Sequence, residues 1–227
     1  MFAETWQYAV THWEYLLQLV VQHLQIIAVG NGIGVAVGVT VGIIISDPGR
    51  SGLADVVLYL SQIMMTIPSM ALFGLLMPVL AGLALPSIGY LPAIIALVAY
   101  GLLPILRNTY TGLRGVDPAM IEAGRGMGMS NRQILFRIKL PLAIPVIMAG
   151  LRNAVVLNIG IATVAVVIGA GGLGVPIFRG IRNFRPDLIL SGAILVSLLA
   201  VAVDVLLGQI ENRVTPKGIR LSREQQQ

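Results

Sequence analysis

Long apolar stretches separated by turns and charged patches organise this chain. Ile26 to Ile45 runs without a charged residue, about the 20 residues that a helix needs to cross a bilayer. Val56 to Leu106 is also free of charge but too long for one crossing, and the turn-like Pro86-Ser87-Ile88-Gly89-Tyr90 divides it. It predicts two spans, at about 56–83 and 88–106. A fourth is expected over about 153–169, with the apolar 142–151 stretch allowing an earlier start, and a fifth over about 188–210. The fold class is therefore all-α: a polytopic membrane protein of about five transmembrane helices. Residues 1–25, with Trp6, Tyr8, Trp13 and Tyr15, suit an interfacial amphipathic segment whose aromatics sit at headgroup depth. The transmembrane domain is expected over 26–210, followed by a polar tail, 211–227.

Two features inside the spans concern packing. Gly30, Gly34, Gly38 and Gly42 recur every fourth residue, so they share one helix face. Small residues there let another backbone approach where lipid supplies no hydrophobic drive. Pro68, Pro78, Pro104 and Pro145 each lack a backbone donor and are expected to kink or break their helices.

Composition supports a lipid solvent: 56% of the 227 residues are hydrophobic and 11% charged, against about a quarter charged in soluble domains. Mean hydropathy is +0.88. Twelve of the 15 arginines and lysines lie in 46–52, 107–152 and 211–227; the alternate segments hold only Arg179, Arg182 and Arg185. The positive-inside rule then puts the N-terminus outside and the basic 107–152 loop and the C-terminus in the cytoplasm. Arginines at the edges of apolar runs fit topology signals and lipid headgroups, not a nucleic-acid face. No cleavable signal peptide is expected, since Glu4 and Glu14 interrupt the first 25 residues.

Catalytic chemistry is sparse. The chain has no cysteine, and His12 and His23 form no metal-ligand cluster, so no metal is expected. Asp204 is the one acid inside an expected span; it serves either a structural hydrogen bond or a functional step. Without a chain of intramembrane carboxylates, no proton-coupled chemistry is expected within the spans, and any energy input is expected from outside the chain. Gly169-Ala170-Gly171-Gly172-Leu173-Gly174 satisfies G-x-G-x-x-G, but it follows a span and not a strand, so it is not a dinucleotide fingerprint. A glycine-rich bend at the pore mouth is expected instead. Arg179, Arg182 and Arg185 recur every third residue beyond it. They suit either acidic lobes of a docking protein or lipid phosphate.

The polar loop between the third and fourth spans carries the strongest signal. Asp117-Pro118 starts a short helix, Gly126 and Gly128 break it, and Ser130 caps a second helix that Pro141 is expected to close near Lys139. Glu122, Ala123 and Gly124, then Gly128, then Ile138, Leu140 and Pro141 resemble the signature of ATP-binding-cassette importer permeases. That signature is Glu-Ala-Ala, three residues, Gly, nine residues, Ile-x-Leu-Pro, and Gly124 in place of alanine is the one departure. The resemblance implies the type I importer permease fold, a coupling loop over 114–141, and insertion of that loop into a cytoplasmic ATPase. Glu122 would make a polar contact, Ala123, Gly124 and Gly128 would permit close approach and a turn, and Ile138, Leu140 and Pro141 would anchor the second helix.

Further stretches are similar to the osmoprotectant branch of that family. They are Thr66-Ile67-Pro68-Ser69, Leu103 to Gly112, Ile144-Pro145, Met148-Ala149-Gly150-Leu151-Arg152 and Val214-Thr215-Pro216-Lys217-Gly218. The branch implies import of glycine betaine, choline, carnitine or a similar quaternary ammonium compound. It also implies ATP and Mg held by a partner ATPase dimer and not by this chain, a second permease copy or homologue, and a periplasmic or lipid-anchored substrate-binding protein. The glycines Gly169, Gly171, Gly172 and Gly174 would contribute to an outer gate, and Arg179, Arg182 and Arg185 to docking of the binding protein. Location in a bacterial or archaeal cytoplasmic membrane follows. The rival within the family is a methionine-like amino-acid importer. Outside it stand a self-sufficient secondary carrier or channel, and a membrane scaffold.

Overall fold

The computed structural model describes residues 2–216; the basic Lys217, Arg220 and Arg223 of the expected tail lie outside them. Among the described residues every regular element is a helix: α1 (Phe2–Thr11), α2 (Trp13–Ile45), α3 (Ser51–Thr66), α4 (Ser69–Gly82), α5 (Tyr90–Arg114), α6 (Pro118–Gly126), α7 (Asn131–Ile134), α8 (Leu140–Val164), α9 (Gly174–Arg182) and α10 (Pro186–Val214). Four helical stretches are long and apolar enough to cross a bilayer, or five if the bent pair α3–α4 counts as one span.

The buried centre is a sandwich of α2, α5 and α8, with α5 in the middle. Glycines make it tight. A Cβ on Gly30 would stand 2.9 Å from Leu97 Cβ, on Gly38 2.7 Å from Ile105 Cγ2, and on Gly42 2.6 Å from Thr109 Cβ, all on α5. On the other side of α5, a Cβ on Gly150 would meet the Pro104 carbonyl at 2.6 Å. Around this core α3 and α4 pack on α5, whereas α1 and α9 pack on α10.

Two boundaries differ from the sequence expectation, and a third feature, the Pro68 break, is sharper than a kink. No helix boundary falls at residue 25: α2 runs from Trp13, and Leu16, Leu19 and His23 are buried, so the first long apolar helix begins inside the expected interfacial segment. The stretch 56–83 carries the break expected at Pro68. It breaks at Ile67-Pro68 and bends by 102°. Proline lacks the donor and pushes the preceding residue out of the helical region, and Ile67 is extended at φ −70°, ψ 126°. The Tyr100 hydroxyl donates to the freed Ile67 carbonyl. Pro78 and Pro104, by contrast, sit within α4 and α5.

The second correction concerns Pro141, which does not close the second loop helix. From Asn131 the helix runs on to Ile168, passing through a π turn at Leu135–Lys139. There the Leu140 amide donates to the Leu135 carbonyl, five residues back. That wider turn absorbs a proline whose ring would otherwise clash with the carbonyl four residues earlier. The fourth helix thus takes the earlier start that the apolar 142–151 stretch allows, and Arg152, counted with the loop in the charge distribution, lies in the middle of α8.

Candidate functional site

Two polar constructions stand out, at opposite ends of α8. The first is the elbow 118–139. The Asp117 carboxylate accepts from the Ala119 amide at 2.8 Å, and Pro118 occupies the first turn. α6 ends in a Schellman motif: the Met129 amide donates to the Gly124 carbonyl at 3.0 Å and the Gly128 amide to the Arg125 carbonyl at 2.9 Å. This geometry requires a left-handed residue, and Gly128 supplies it at φ +79°. Ser130 and Gln133 then form a reciprocal capping box: the Gln133 amide donates to Ser130 Oγ at 3.3 Å and the Ser130 amide to Gln133 Oε1 at 2.8 Å.

The signature residues fall into two groups. Gly124 is buried, and a Cβ there would come within 2.7 Å of Ile138 Cδ1, so α6 lies directly on the π turn. Ile138, Leu140 and Pro141 are half-buried where that turn enters α8, while Glu122, Ala123 and Gly128 are exposed. The substitution of glycine for alanine at 124 therefore relieves contact with the isoleucine of the same signature. Glu122 and Arg125 also line a cleft of about 610 Å³ with Arg132 and Lys139, closed on its far side by Ser46, Asp47 and Pro48 after α2. Around it Met120, Phe136 and Met127 are exposed, Met127 by 75%. Arg132 lies over the Phe136 ring at 5.9 Å. The elbow thus presents one acid, several cations and exposed apolar side chains.

The second construction is the glycine-rich segment 169–174. Gly169, Gly171 and Gly172 all have positive φ, between 76° and 78°. Gly174 has a different reason to be glycine: a Cβ there would stand 1.9 Å from the Thr163 carbonyl oxygen. Two side chains of α2 hold the segment. Gln22 Oε1 accepts from the Gly172 amide at 3.2 Å, and His23 Nδ1 accepts from the Leu173 amide at 3.3 Å. The other ring nitrogen of fully buried His23 faces the Ile159 carbonyl on α8 at 3.2 Å. An accepting Nδ1 fixes the neutral tautomer with the proton on Nε2, which donates to Ile159. The turn before α5 joins in through Gly89, whose amide donates to the Ile168 carbonyl at 2.7 Å.

Sequence reasoning passed over this staple of Gln22 and His23, and it passed over a buried amide pair. Asn158 Nδ2 donates to Asn31 Oδ1 at 2.8 Å and to the Leu97 carbonyl at 3.0 Å, tying α8, α2 and α5 together. Isolated amides in otherwise apolar spans were the available signal. Asp204 has a partner as well: Arg152 grips it bidentately at 2.9 and 2.8 Å and reaches Glu211 at 3.2 Å. It is one side of an α8–α10 ion pair. The arginine stripe is uneven. Arg179 and Arg182 project from α9, but Arg185 turns back on Asp187, at 2.8 and 2.5 Å.

The description "binding-protein-dependent transport system inner membrane component" fits residues 34–216. The chain is 48% identical over 203 residues to the carnitine transport permease protein OpuCB of Listeria monocytogenes, covering 89% of each. It is 43% identical to the osmoprotectant import permease protein OsmW of Salmonella typhimurium, covering 96% of this chain and 100% of that one. It is 38% identical to the choline transport system permease protein OpuBB of Bacillus subtilis, covering 96% and 97%. Among solved structures, an inward-facing MetNI methionine ABC transporter chain matches with a TM-score of 0.78 at 24% identity, covering 89% of this chain and 97% of that one. That likeness carries the fold. The chain belongs to the inner-membrane components of binding-protein-dependent transport systems, a membership that implies an ATPase and a substrate-binding protein as partners.

Proposed function

We propose that this member of the family is the membrane subunit of an importer for small osmoprotectants, quaternary ammonium compounds such as carnitine, choline or glycine betaine. ATP is hydrolysed by separate subunits, and this chain contributes conformational change without covalent catalysis. The substrate class rests on relatives at 38–48% identity whose names specify carnitine, choline or osmoprotectant transport. The amino-acid importers share the fold at 24% identity or less, which says nothing of cargo.

One observation carries the mechanism: α6 is capped at both ends by its own neighbours and packed through Gly124 on the π turn that opens α8. Force applied to exposed Glu122 and Ala123 passes as a rigid-body displacement into a helix that continues to Ile168. The elbow therefore acts as the cytoplasmic handle for an ATPase dimer, with the N-terminus outside. At the other end of α8, the segment 169–174 works as the outer gate, and a second permease copy or homologue completes the pathway.

The test uses the assembled complex in vesicles with the binding protein and labelled substrate. Glu122→Lys reverses the charge on the handle without touching any cap, so uptake and substrate-stimulated ATP hydrolysis should fall together by about tenfold or more, as expected when one buried charge pair is broken. Wild-type uptake and hydrolysis in this variant would reject the handle.

A further inference from the structure

A cleft of about 640 Å³ opens between α1, the first turn of α2, α9 and the start of α10. Of its helices, α1 and α9 pack on α10, whereas α3 and α4 pack on α5. Tyr8, His12 and Tyr15 form one wall; Arg179, Asn183 and Arg185 form the other. The Tyr8 and His12 rings are stacked at 4.3 Å. Arg185 is committed to Asp187 by two hydrogen bonds. Arg179 forms no ion pair among the described residues, and with Asn183 four residues on it faces the two phenols. Like any phenol, Tyr8 is a hydrogen-bond donor at neutral pH, and burial, then the neighbouring Tyr15, push its titration further up. One uncommitted guanidinium, an amide and phenolic hydroxyls converge on a recess with an apolar floor at Leu188.

The surroundings fix its depth. Phe2, Trp6 and Val10 recur every fourth residue on α1, and all three, with Trp13, are exposed. A short helix with such a stripe lies in the bilayer interface, with its aromatics among the headgroups. Beside the opposite wall, Ile181 is exposed and Phe184 is 92% exposed. Phe184 also sits at φ +52°, a left-handed conformation that bulky side chains rarely adopt.

We propose that this cleft binds the phosphodiester of a membrane phospholipid, with Arg179 as its cation, Asn183 and Tyr8 as hydrogen-bond donors, and Phe184 and Ile181 against the acyl chains. Guanidinium suits a phosphate through paired, charge-assisted hydrogen bonds. Arg182, one turn away on α9, does not line the cleft and takes no part. This separates Arg179 from its neighbours in a stripe that, read as sequence alone, looks uniform. The proposal stands apart from the importer reading, because it uses neither the elbow nor the glycine-rich segment.

Native mass spectrometry of the purified full chain, titrated with phosphatidylglycerol in detergent, tests it. One lipid should persist on the wild type. Arg179→Gln should weaken its binding about tenfold, the order expected for one charge-assisted contact, and Asn183→Ala should weaken it less. Arg182→Gln should bind as the wild type does, and inorganic phosphate should not compete at concentrations comparable with the lipid. Equal losses in Arg179→Gln and Arg182→Gln would overturn the site, leaving only diffuse surface charge. Competition by inorganic phosphate would make it a free-anion site. Unchanged lipid binding in Arg179→Gln, with uptake lowered at limiting binding protein, would give the arginine to a protein partner.

Discussion

The elbow at 118–139 and the glycine-rich segment at 169–174 both depend on glycine, but in different ways. In the elbow the decisive hydrogen bonds span two to five residues: Asp117 to Ala119, Ser130 to Gln133, Gly124 to Met129. The segment is held from far away, by Gln22 and His23, each 150 residues distant in sequence. A unit closed on itself moves without coming apart, which suits a part that receives force. One whose amides are held by another helix registers any shift of that helix. The first is closed on itself, and the second is tied to the α2–α8 arrangement.

The largest effect that would sharpen this contrast is expected at Gly174. A methyl placed 1.9 Å from the Thr163 carbonyl has no rotamer by which to escape, and backbone must move. Gly174→Ala should cost about 3 kcal/mol or more, beyond ordinary overpacking, and the protein should fail to accumulate in membranes or should elute as aggregate. A monodisperse Gly174→Ala protein with wild-type thermal stability would show the segment to be looser than its contacts imply.

Next in size is the staple. His23→Leu removes the acceptor for the Leu173 amide and the donor to the Ile159 carbonyl but keeps an apolar body. Leaving the buried Leu173 amide unpaired costs about 1–3 kcal/mol, while the Ile159 carbonyl keeps the Thr163 hydroxyl at 3.1 Å. The expected result is a lower thermal midpoint and faster hydrogen exchange at Leu173, with the elbow amides unchanged. If exchange at Gly128 and Met129 rose as well, the two ends would not be independent units and the contrast would fail.

This difference also explains what was legible in the sequence. The elbow's caps are local, so Asp117-Pro118, Gly128 and Ser130 could be read from spacing alone, and the crossings followed from apolar length. The staple was not legible because nothing in the neighbourhood of His23 says that Leu173 will lie beside it. Arg152 was hidden for another reason. An arginine is a boundary signal by hydropathy, and only its pairing with Asp204 and Glu211 makes it admissible inside α8. Pro141 misled in the same manner, since a π turn leaves no mark in local propensity. Pro68 was legible as a kink or break, but not that the Tyr100 hydroxyl, 33 residues on, donates to the Ile67 carbonyl at the bend of 102°.

The smallest effect comes from Gly128, and its small size is what makes it informative. No atom lies within 4 Å of where its Cβ would be, so substitution creates no clash with the rest of the molecule. The cost is conformational only: an L-residue held at φ +79° loses about 1–2 kcal/mol relative to glycine, and asparagine, which tolerates that region, loses less. Gly128→Ala should therefore lower the thermal midpoint of the isolated chain only slightly, with Gly128→Asn nearer to wild type. Because the Schellman turn sets the angle between α6 and α7, coupling should suffer more than stability. Uptake in the assembled transporter should drop more steeply for alanine than for asparagine. If both variants transported normally while alanine alone was destabilised, the turn would be a folding device and not part of the handle. If both lost transport with unchanged stability, an ATPase surface would need the bare glycine itself, and the elbow's local closure would matter less than its contact face.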